Sequence, residues 1–571
     1  MKWLFEIYPV KKKYILINTL RSLARWSDLI PSILIGIMID KFRETHDPKV
    51  IIPYAVAVFI IVVVGSITSF KTFVESARLK EKLVNTIRNK CYKKFNELDR
   101  TFYNENPSGD LVTMMTSDMQ SIGSFYFYVS INIIMNIVSF VLVFGYFLTI
   151  NLPLTLCILI PSPFLAYITS RFNKKIENLY DEKREQSAEL NNYIQENIEG
   201  NKVVKSFGNE EYEINKFKKK NKEIKNKNLE IRKLNINYDL KVNFLTNIMN
   251  AILLAIGGLF MLKGYITIGE LLVFSSLTYA VQAPFLDLAM YFNDYKEFKV
   301  SLKKIKDFLN TKSKIVDDGK LKLNYKNQNI TIKDVDVLYE DTIGIKDMNL
   351  EIKPGETIAF IGEVGSGKST ITRILLRHTN ISSGEILIGK NKIEEYTLES
   401  LRNEIGYVSQ TPFLFSDTIK NNVNYGDLTL TDKDATKYLK MAKADYALEL
   451  TDGINTIIGE NGVSLSGGEK QRLSLARALA KKPKILILDD ITSALDIETE
   501  ISVTENIKDL AYKCTKIIIA QKIFSVKDAD KILVFKNNKV AETGTHKELL
   551  KLNGVYKNIY DTQKESYEEL I

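Results

Sequence analysis

The sequence predicts an all-α domain of six transmembrane helices followed by an α/β domain built on a parallel sheet. Three observations carry that reading. Apolar stretches close to the ~20 residues that cross a bilayer recur six times in the first half of the 571-residue chain. In the second half an apolar strand, Thr357 to Ile361, runs into a glycine-rich turn and then a helix-forming stretch, Ser369 to Arg377. Further on, Ile485 to Leu488 is apolar at every position, the pattern of a strand buried on both faces of a parallel sheet.

The spans fall near Lys13 to Ile39, Ile51 to Phe73, Phe125 to Ile150, Leu152 to Ile168, Asp239 to Leu262 and Ile268 to Tyr291. Short connections, Lys41 to Val50 and Lys263 to Thr267, alternate with long charged ones, Glu75 to Gly123 and Arg171 to Tyr238, which read as helical extensions. Basic residues crowd the long segments, so the positive-inside rule places them, both chain ends and the second domain in the cytoplasm, with the chain in the cytoplasmic membrane. Met1 to Pro9 lacks a cleavable leader pattern and reads as a short interfacial helix. The division is a membrane domain over 1–308, a linker over 309–328 rich in Lys, Asp and Asn, and an α/β domain over 329–571.

Composition agrees with a chain half in lipid and half in water: 45% of residues are hydrophobic, and mean hydropathy is near zero. The net charge of +9 follows from the membrane-flanking lysines, so nucleic acid is not the implied partner. Cys91, Cys157 and Cys514, with three histidines, have neither disulfide-framework nor metal-ligand spacing.

The chemistry is concentrated in a few motifs. Gly362, Glu363, Val364, Gly365, Ser366, Gly367, Lys368, Ser369 and Thr370 fit a phosphate-cradling loop, in which glycines turn backbone N–H groups inward. Lys368 reaches the outer phosphates, and the Ser369 hydroxyl can ligate Mg2+. The helix after the loop sets its N-terminus at the same phosphates. Asp489, at the end of the second apolar strand, is placed to organise the metal. About a hundred residues after the loop stands Leu465, Ser466, Gly467, Gly468 and Glu469, ahead of a helix-forming run.

Order and spacing of these pieces resemble the nucleotide-binding domain of ATP-binding cassette (ABC) transporters, from about Ile330 to Tyr560. The resemblance implies a P-loop NTPase of ABC type that binds ATP with Mg2+. It makes Gly362 to Thr370 the Walker A loop and Asp489 the Walker B aspartate, with Ser369, Gln410 and Asp489 around the metal. Tyr339 matches the aromatic that stacks on adenine, and Gln410 the glutamine that senses the γ-phosphate. Leu465 to Glu469 matches the signature that caps the ATP of the opposite subunit, and Ser493, Ala494, Leu495 and Asp496 the D-loop. In the membrane half, Phe102, Tyr103, Gly109 to Leu111 and Asp118 are similar to the first intracellular loop of exporters of this family, and Glu196 to Phe207, Glu210 and Phe217 to the second.

Two positions depart from the pattern. The family's general base is a glutamate after the Walker B aspartate, but here it is Asp490; its switch histidine is replaced by Gln521. Asp490 ends one methylene short, and a ~1 Å displacement can cost ~100-fold in rate. Gln521 cannot become cationic as charge builds on phosphate, and losing one stabilising donor costs about 100- to 1000-fold. The expectation is an ATP-hydrolysing transporter half with a weakly hydrolytic site of its own. Its intact signature would serve a second exporter half, a different subunit carrying the catalytic glutamate and histidine. An ATP-binding regulatory or gating subunit, and an importer using the same architecture, stand as alternatives.

Polar residues inside the spans cluster by helical spacing. Asn18, Arg21, Arg25 and Asp28 share one face of the first helix, Asn243, Asn247 and Asn250 one face of the fifth, and Gln282 and Asp287 add polarity to the sixth. Intramembrane charges mark water-filled paths or internal pairs, so these stripes are candidates for a polar cavity facing a transported substrate. Arg21 and Arg25 suit an anionic group on that cargo, and a pairing with Asp28 is the competing expectation. The sequence does not name the cargo.

Overall fold

The computed structural model describes residues 2–339, 342–459 and 465–568. The chain divides into two compact units, Met1–Glu97 with Asn106–Thr311, and Leu98–Glu105 with Lys312–Ile571.

The described residues of the first unit form helices and short connections. Among the described residues, five helical runs are long and apolar enough to cross a membrane: Lys11–Thr45, Pro48–Glu97, Ser108–Ile150, Leu152–Glu199 and Glu210–Leu262. A sixth forms when Ile268–Asp287 and Met290–Asn310, bent by 41°, are taken as one span. The first run is two helices, Lys11–Ala24 and Trp26–Thr45, meeting at Arg25. There the Ser27 hydroxyl donates to the Ala24 carbonyl at 2.6 Å, competing with the helical ladder. Pro161 and Pro163 interrupt the fourth run between Leu159 and Ser162, since neither has an N–H to continue it. The charged stretches expected as extensions are helix, carried in Ile51–Glu97, Ser162–Glu199 and Glu210–Leu262.

Association of these helices rests on close backbone approach. A Cβ on Gly269 would stand 2.0 Å from the Gly36 carbonyl oxygen, and one on Gly65 would stand 2.0 Å from Ser27, so only glycine permits either crossing. Asp40 secures the first pair by accepting from the Gly269 N–H at 2.8 Å and the Thr267 hydroxyl at 2.5 Å. Phe147 and Phe274, both buried, stack at 4.1 Å between ring centroids in the apolar core of the unit. Outward positions such as Phe59, Phe70 and Ile160 are exposed, as lipid-facing residues must be.

The second unit contains two sheets. Strands β1 (Ile330–Leu338), β2 (Ile343–Ile352), β4 (Ser383–Ile388) and β5 (Asn391–Lys392) form an antiparallel sheet in the order β2-β1-β4-β5. Strands β3 (Thr357–Gly362), β6 (Ile405–Val408), β7 (Ile485–Asp489), β8 (Thr515–Ile519), β9 (Lys531–Lys536) and β10 (Lys539–Gly544) form the other, ordered β10-β9-β3-β8-β7-β6. All of its pairings are parallel except β10 on β9. Every residue of β7 is buried, as its unbroken apolar run predicts. The carboxyl ends of β3 and β7 are the edge at which ligands of open α/β sheets sit.

Candidate nucleotide site

The loop after β3 is shaped by glycines, two of which leave no room for a Cβ. Gly362 has φ 146°, and a Cβ there would lie 2.2 Å from the Phe535 carbonyl oxygen. Gly367 has φ 96°, and its Cβ would lie 2.2 Å from the Gly344 carbonyl oxygen. Gly365, also left-handed at φ 82°, has open space where a Cβ would project. Glu363 and Val364 are exposed on the outer side of the turn, and Ser366 and Thr370 are buried. Lys368 is buried at the start of the helix Lys368–Leu375, and its Nζ donates to the carbonyls of Gly362 at 2.8 Å and Glu363 at 2.6 Å. Burial pulls its ammonium below the usual lysine range, against the upward pull of Asp490, Asp489 and Glu363.

Facing the loop, the Ser369 hydroxyl donates to Asp489 Oδ1 at 3.1 Å. A hydroxyl beside one carboxylate suits Mg2+, which takes one or two carboxylates and fills the rest of its shell with phosphate oxygens and water. No group of three or more His, Cys, Asp or Glu able to hold a metal occurs among the described residues. Gln410 Nε2 donates to Asp490 Oδ2 at 3.1 Å, a buried carboxylate and so a strong acceptor. Gln521 Nε2 donates to that same oxygen at 2.9 Å. Asp490 itself has φ 53°, an unusual conformation for a residue with a Cβ, and its carbonyl accepts from the Ser493 hydroxyl at 3.0 Å. Burial raises the pKa of both Asp489 and Asp490 above the ordinary aspartate value.

The remaining predicted residues fall into two places. Tyr339 is half-buried at the end of β1, and its hydroxyl accepts from Arg373 Nη1 at 3.4 Å. Ser466 caps the helix Gly467–Ala480 in a reciprocal box with Glu469: the Ser466 N–H donates to Glu469 Oε2 at 2.7 Å, and the Glu469 N–H donates back to the serine hydroxyl at 3.3 Å. Leu465 packs on the core behind it. A Cβ on Gly468 would stand 2.8 Å from the Ala494 carbonyl oxygen, so this glycine brings the two loops together. Leu495 is buried, and Asp496 caps the helix Ile497–Lys508 through the Thr499 N–H at 3.0 Å. Among the described residues, no hydrogen bond joins Leu465–Glu469 to the Gly362–Thr370 loop.

Residues 15–285 match the family model described as the ABC transporter transmembrane region, and residues 345–493 match the one described as ABC transporter. An uncharacterized ABC transporter ATP-binding protein of Bacillus subtilis (strain 168) is 35% identical over 490 residues, covering 84% of this chain and 83% of that protein. A putative multidrug export ATP-binding/permease protein of Staphylococcus aureus (strain NCTC 8325 / PS 47) is 33% identical over 546 residues, 94% of each chain. The chain belongs to the ABC transporter family. Its fold matches that of a bacterial Atm1-family ABC exporter with ATP bound, with TM-score 0.80, 23% identity, and coverage of 97% of this chain and 99% of that one. Here an ABC transmembrane region is fused to an ABC ATP-binding domain, the half-transporter arrangement, in a multi-pass membrane protein.

In this transporter half the membrane stripes form separate groups. Arg25 Nη1 pairs with Asp28 Oδ2 at 2.9 Å, the internal pairing that competes with cargo contact. Arg21 lies over the Phe73 ring at 5.7 Å, with its Nη1 buried and without a hydrogen-bond partner, as is Asn18 Oδ1. Asn243 and Asn247 are exposed, and Asn250 Oδ1 is buried and unpartnered. Gln282 is buried, with its Nε2 3.8 Å from Met249 Sδ. Asp287 accepts from Asn136 Nδ2 at 2.9 Å and from the Tyr291 hydroxyl at 3.2 Å. Among the described residues, no side-chain hydrogen bond links the three stripes.

Two features near the nucleotide site escaped the sequence reading. Glu500, almost fully buried, takes Lys522 Nζ at 3.1 Å and the Ser525 hydroxyl, and Ser525 also meets Thr492 Oγ1 at 3.0 Å. Its signal was spacing: Glu500, Val503 and Ile507 lie at i, i+3 and i+7, one helix face, and all three are buried. The second is Gln563, whose amide bonds to the backbone around Gln521. Nothing in the sequence points to it.

Proposed function

We propose that this chain is one half of an ATP-driven exporter whose own site holds MgATP and hydrolyses it slowly. The observation that carries the reading is the surrounding of Asp490: one short carboxylate, with Oδ2 shared between the uncharged amides of Gln410 and Gln521. In this account the loop N–H groups and Lys368 bind the phosphates, while Ser369 and Asp489 orient the metal. Mg2+, when bound there, would supply positive charge against the charge that develops on the phosphate. Asp490 is the proton acceptor beside it, and burial raises its basicity, yet its reach is one methylene short. Gln521 offers hydrogen bonds without a charge where the transition state gains one. Ser466 and Gly468, which among the described residues make no hydrogen bond to the chain's own loop, fit the role of capping ATP on a partner subunit. The partner then carries glutamate and histidine at the matching places, and the cargo passes through the membrane half.

The test uses this chain reconstituted with an exporter half that has glutamate and histidine. Gly468→Asp here should abolish turnover of the pair, while Lys368→Ala should lower ATP retention at one site and leave partial turnover. Unchanged turnover in the Gly468→Asp pair would overturn the reading.

A further inference from the structure

The helix Val555–Glu568 reaches back to the segment that carries Gln521. Gln563, half-buried on that helix, presents its carboxamide as a second peptide group: Nε2 donates to the Gln521 carbonyl at 2.8 Å, and Oε1 accepts from the Ile523 N–H at 2.9 Å. Two bonds from one planar amide to residues 521 and 523 fix the position and the tilt of the peptides between them. A lone contact would fix neither.

The helix that delivers Gln563 is itself anchored. Tyr556 is fully buried in an apolar cluster with Ala520, Ile523 and Val526, and its hydroxyl meets His546 Nδ1 at 2.7 Å. Glu542, on β10, caps the first turn by accepting from the N–H groups of Val555 and of Tyr556, the latter at 3.1 Å. On the other side of the segment, Lys522 is tied to buried Glu500. The Gln521 backbone is thus held from the C-terminal helix, while its side chain reaches Asp490 at 2.9 Å.

We propose that Gln563 is a positioning residue for ATP hydrolysis, through which the C-terminal helix sets where the Gln521 amide stands relative to Asp490. The inference rests on the reading of Gln521 as the residue that meets the reacting phosphate. Displacing this helix would loosen the switch segment without touching the phosphate loop, so the effect falls on the chemical step and not on ATP affinity. A shift of ~1 Å at such a position costs up to ~100-fold.

The test is single-turnover hydrolysis of radiolabelled ATP by the full-length chain in nanodiscs, with ATP affinity and thermal unfolding measured in parallel. Gln563→Ala should slow hydrolysis by about 10- to 100-fold at unchanged ATP affinity. The same change should do nothing further in a Gln521→Ala background, whereas a general loss of structure would add to it. Gln563→Glu keeps the acceptor for Ile523 and loses the donor to the Gln521 carbonyl, so it should reproduce the slowing with the unfolding temperature retained. If Gln521→Ala slows the reaction but Gln563→Ala and Gln563→Glu do not, the clamp is overturned and the reading of Gln521 stands. If Gln521→Ala leaves the rate unchanged, that reading falls and the clamp with it.

Discussion

Gln521 Nε2 lies 2.9 Å from Asp490 Oδ2, the oxygen that also receives the Gln410 amide at 3.1 Å. A carboxylate oxygen bonded to two neutral donors in a buried setting is stabilised without being neutralised. The balance of these effects is an acid whose pKa rises through burial, although the two amides, Lys368 and Lys522 pull it down.

The sign for stability follows. A carboxyl whose folded pKa is raised destabilises the fold above that raised pKa, and the penalty disappears below the ordinary aspartate value. Asp490→Asn should therefore raise the unfolding temperature of ATP-free protein at pH 7 and lose that advantage as pH falls through the folded pKa. Differential scanning fluorimetry across pH checks this, and an equal shift at pH 7 and at pH 3.5 would contradict it.

His378 gives an opposite pH dependence. Burial, with Arg402, Arg100 and Arg373 nearby, pushes its pKa down from 6.5 to about 4. The fold keeps the ring neutral, so stability is fully present above the unfolded value of 6.5 and is lost as pH drops from there toward 4. The difference corresponds to about 3 kcal/mol. His378→Gln should flatten the melting profile over this window, and an unchanged slope would rule His378 out as its cause.

The fold was largely legible because its signals are local. Six apolar stretches and the glycine pattern around Lys368 specify spans and loop without any distant contact. What was not legible depends on tertiary neighbours. The helix breaks at Arg25 and after Leu159 follow from single side-chain and proline effects inside apolar runs, where periodicity is weak. Glu500 stands in a run that reads as solvated charge, yet its carboxylate is inside. Gln563 lies 42 residues beyond Gln521, and only the docking of its helix brings them together.

Removing one side of the Glu500–Lys522 pair should be asymmetric. Lys522→Met leaves an almost fully buried carboxylate with only the Ser525 hydroxyl, at a cost of about 3 kcal/mol. Glu500→Gln keeps a hydrogen-bond acceptor and leaves the partly exposed ammonium to water, at about 1 kcal/mol. Chemical denaturation of the two variants checks the order, which equal losses would contradict.

In the membrane half, Arg21 and Arg25 should behave differently. Arg25 Nη1 is held in an ion pair by Asp28, whereas Arg21 has no ion pair among the described residues; Arg21 Nη1 and Arg25 Nε are each buried without a hydrogen-bond partner. Arg21→Gln should reduce vesicle transport of anionic cargo by the assembled pair about 10-fold, the scale of one charge-assisted bond, and Arg25→Gln should change it little. Equal effects of the two substitutions would remove Arg21 from any role in cargo selection.

The most direct measurement is steady-state ATPase of the chain purified by itself in nanodiscs, beside the Asp490→Glu/Gln521→His double variant. A base that falls short and a switch without charge predict that the double variant turns over about 100-fold faster. A native chain that hydrolyses ATP as rapidly as the double variant would contradict the account.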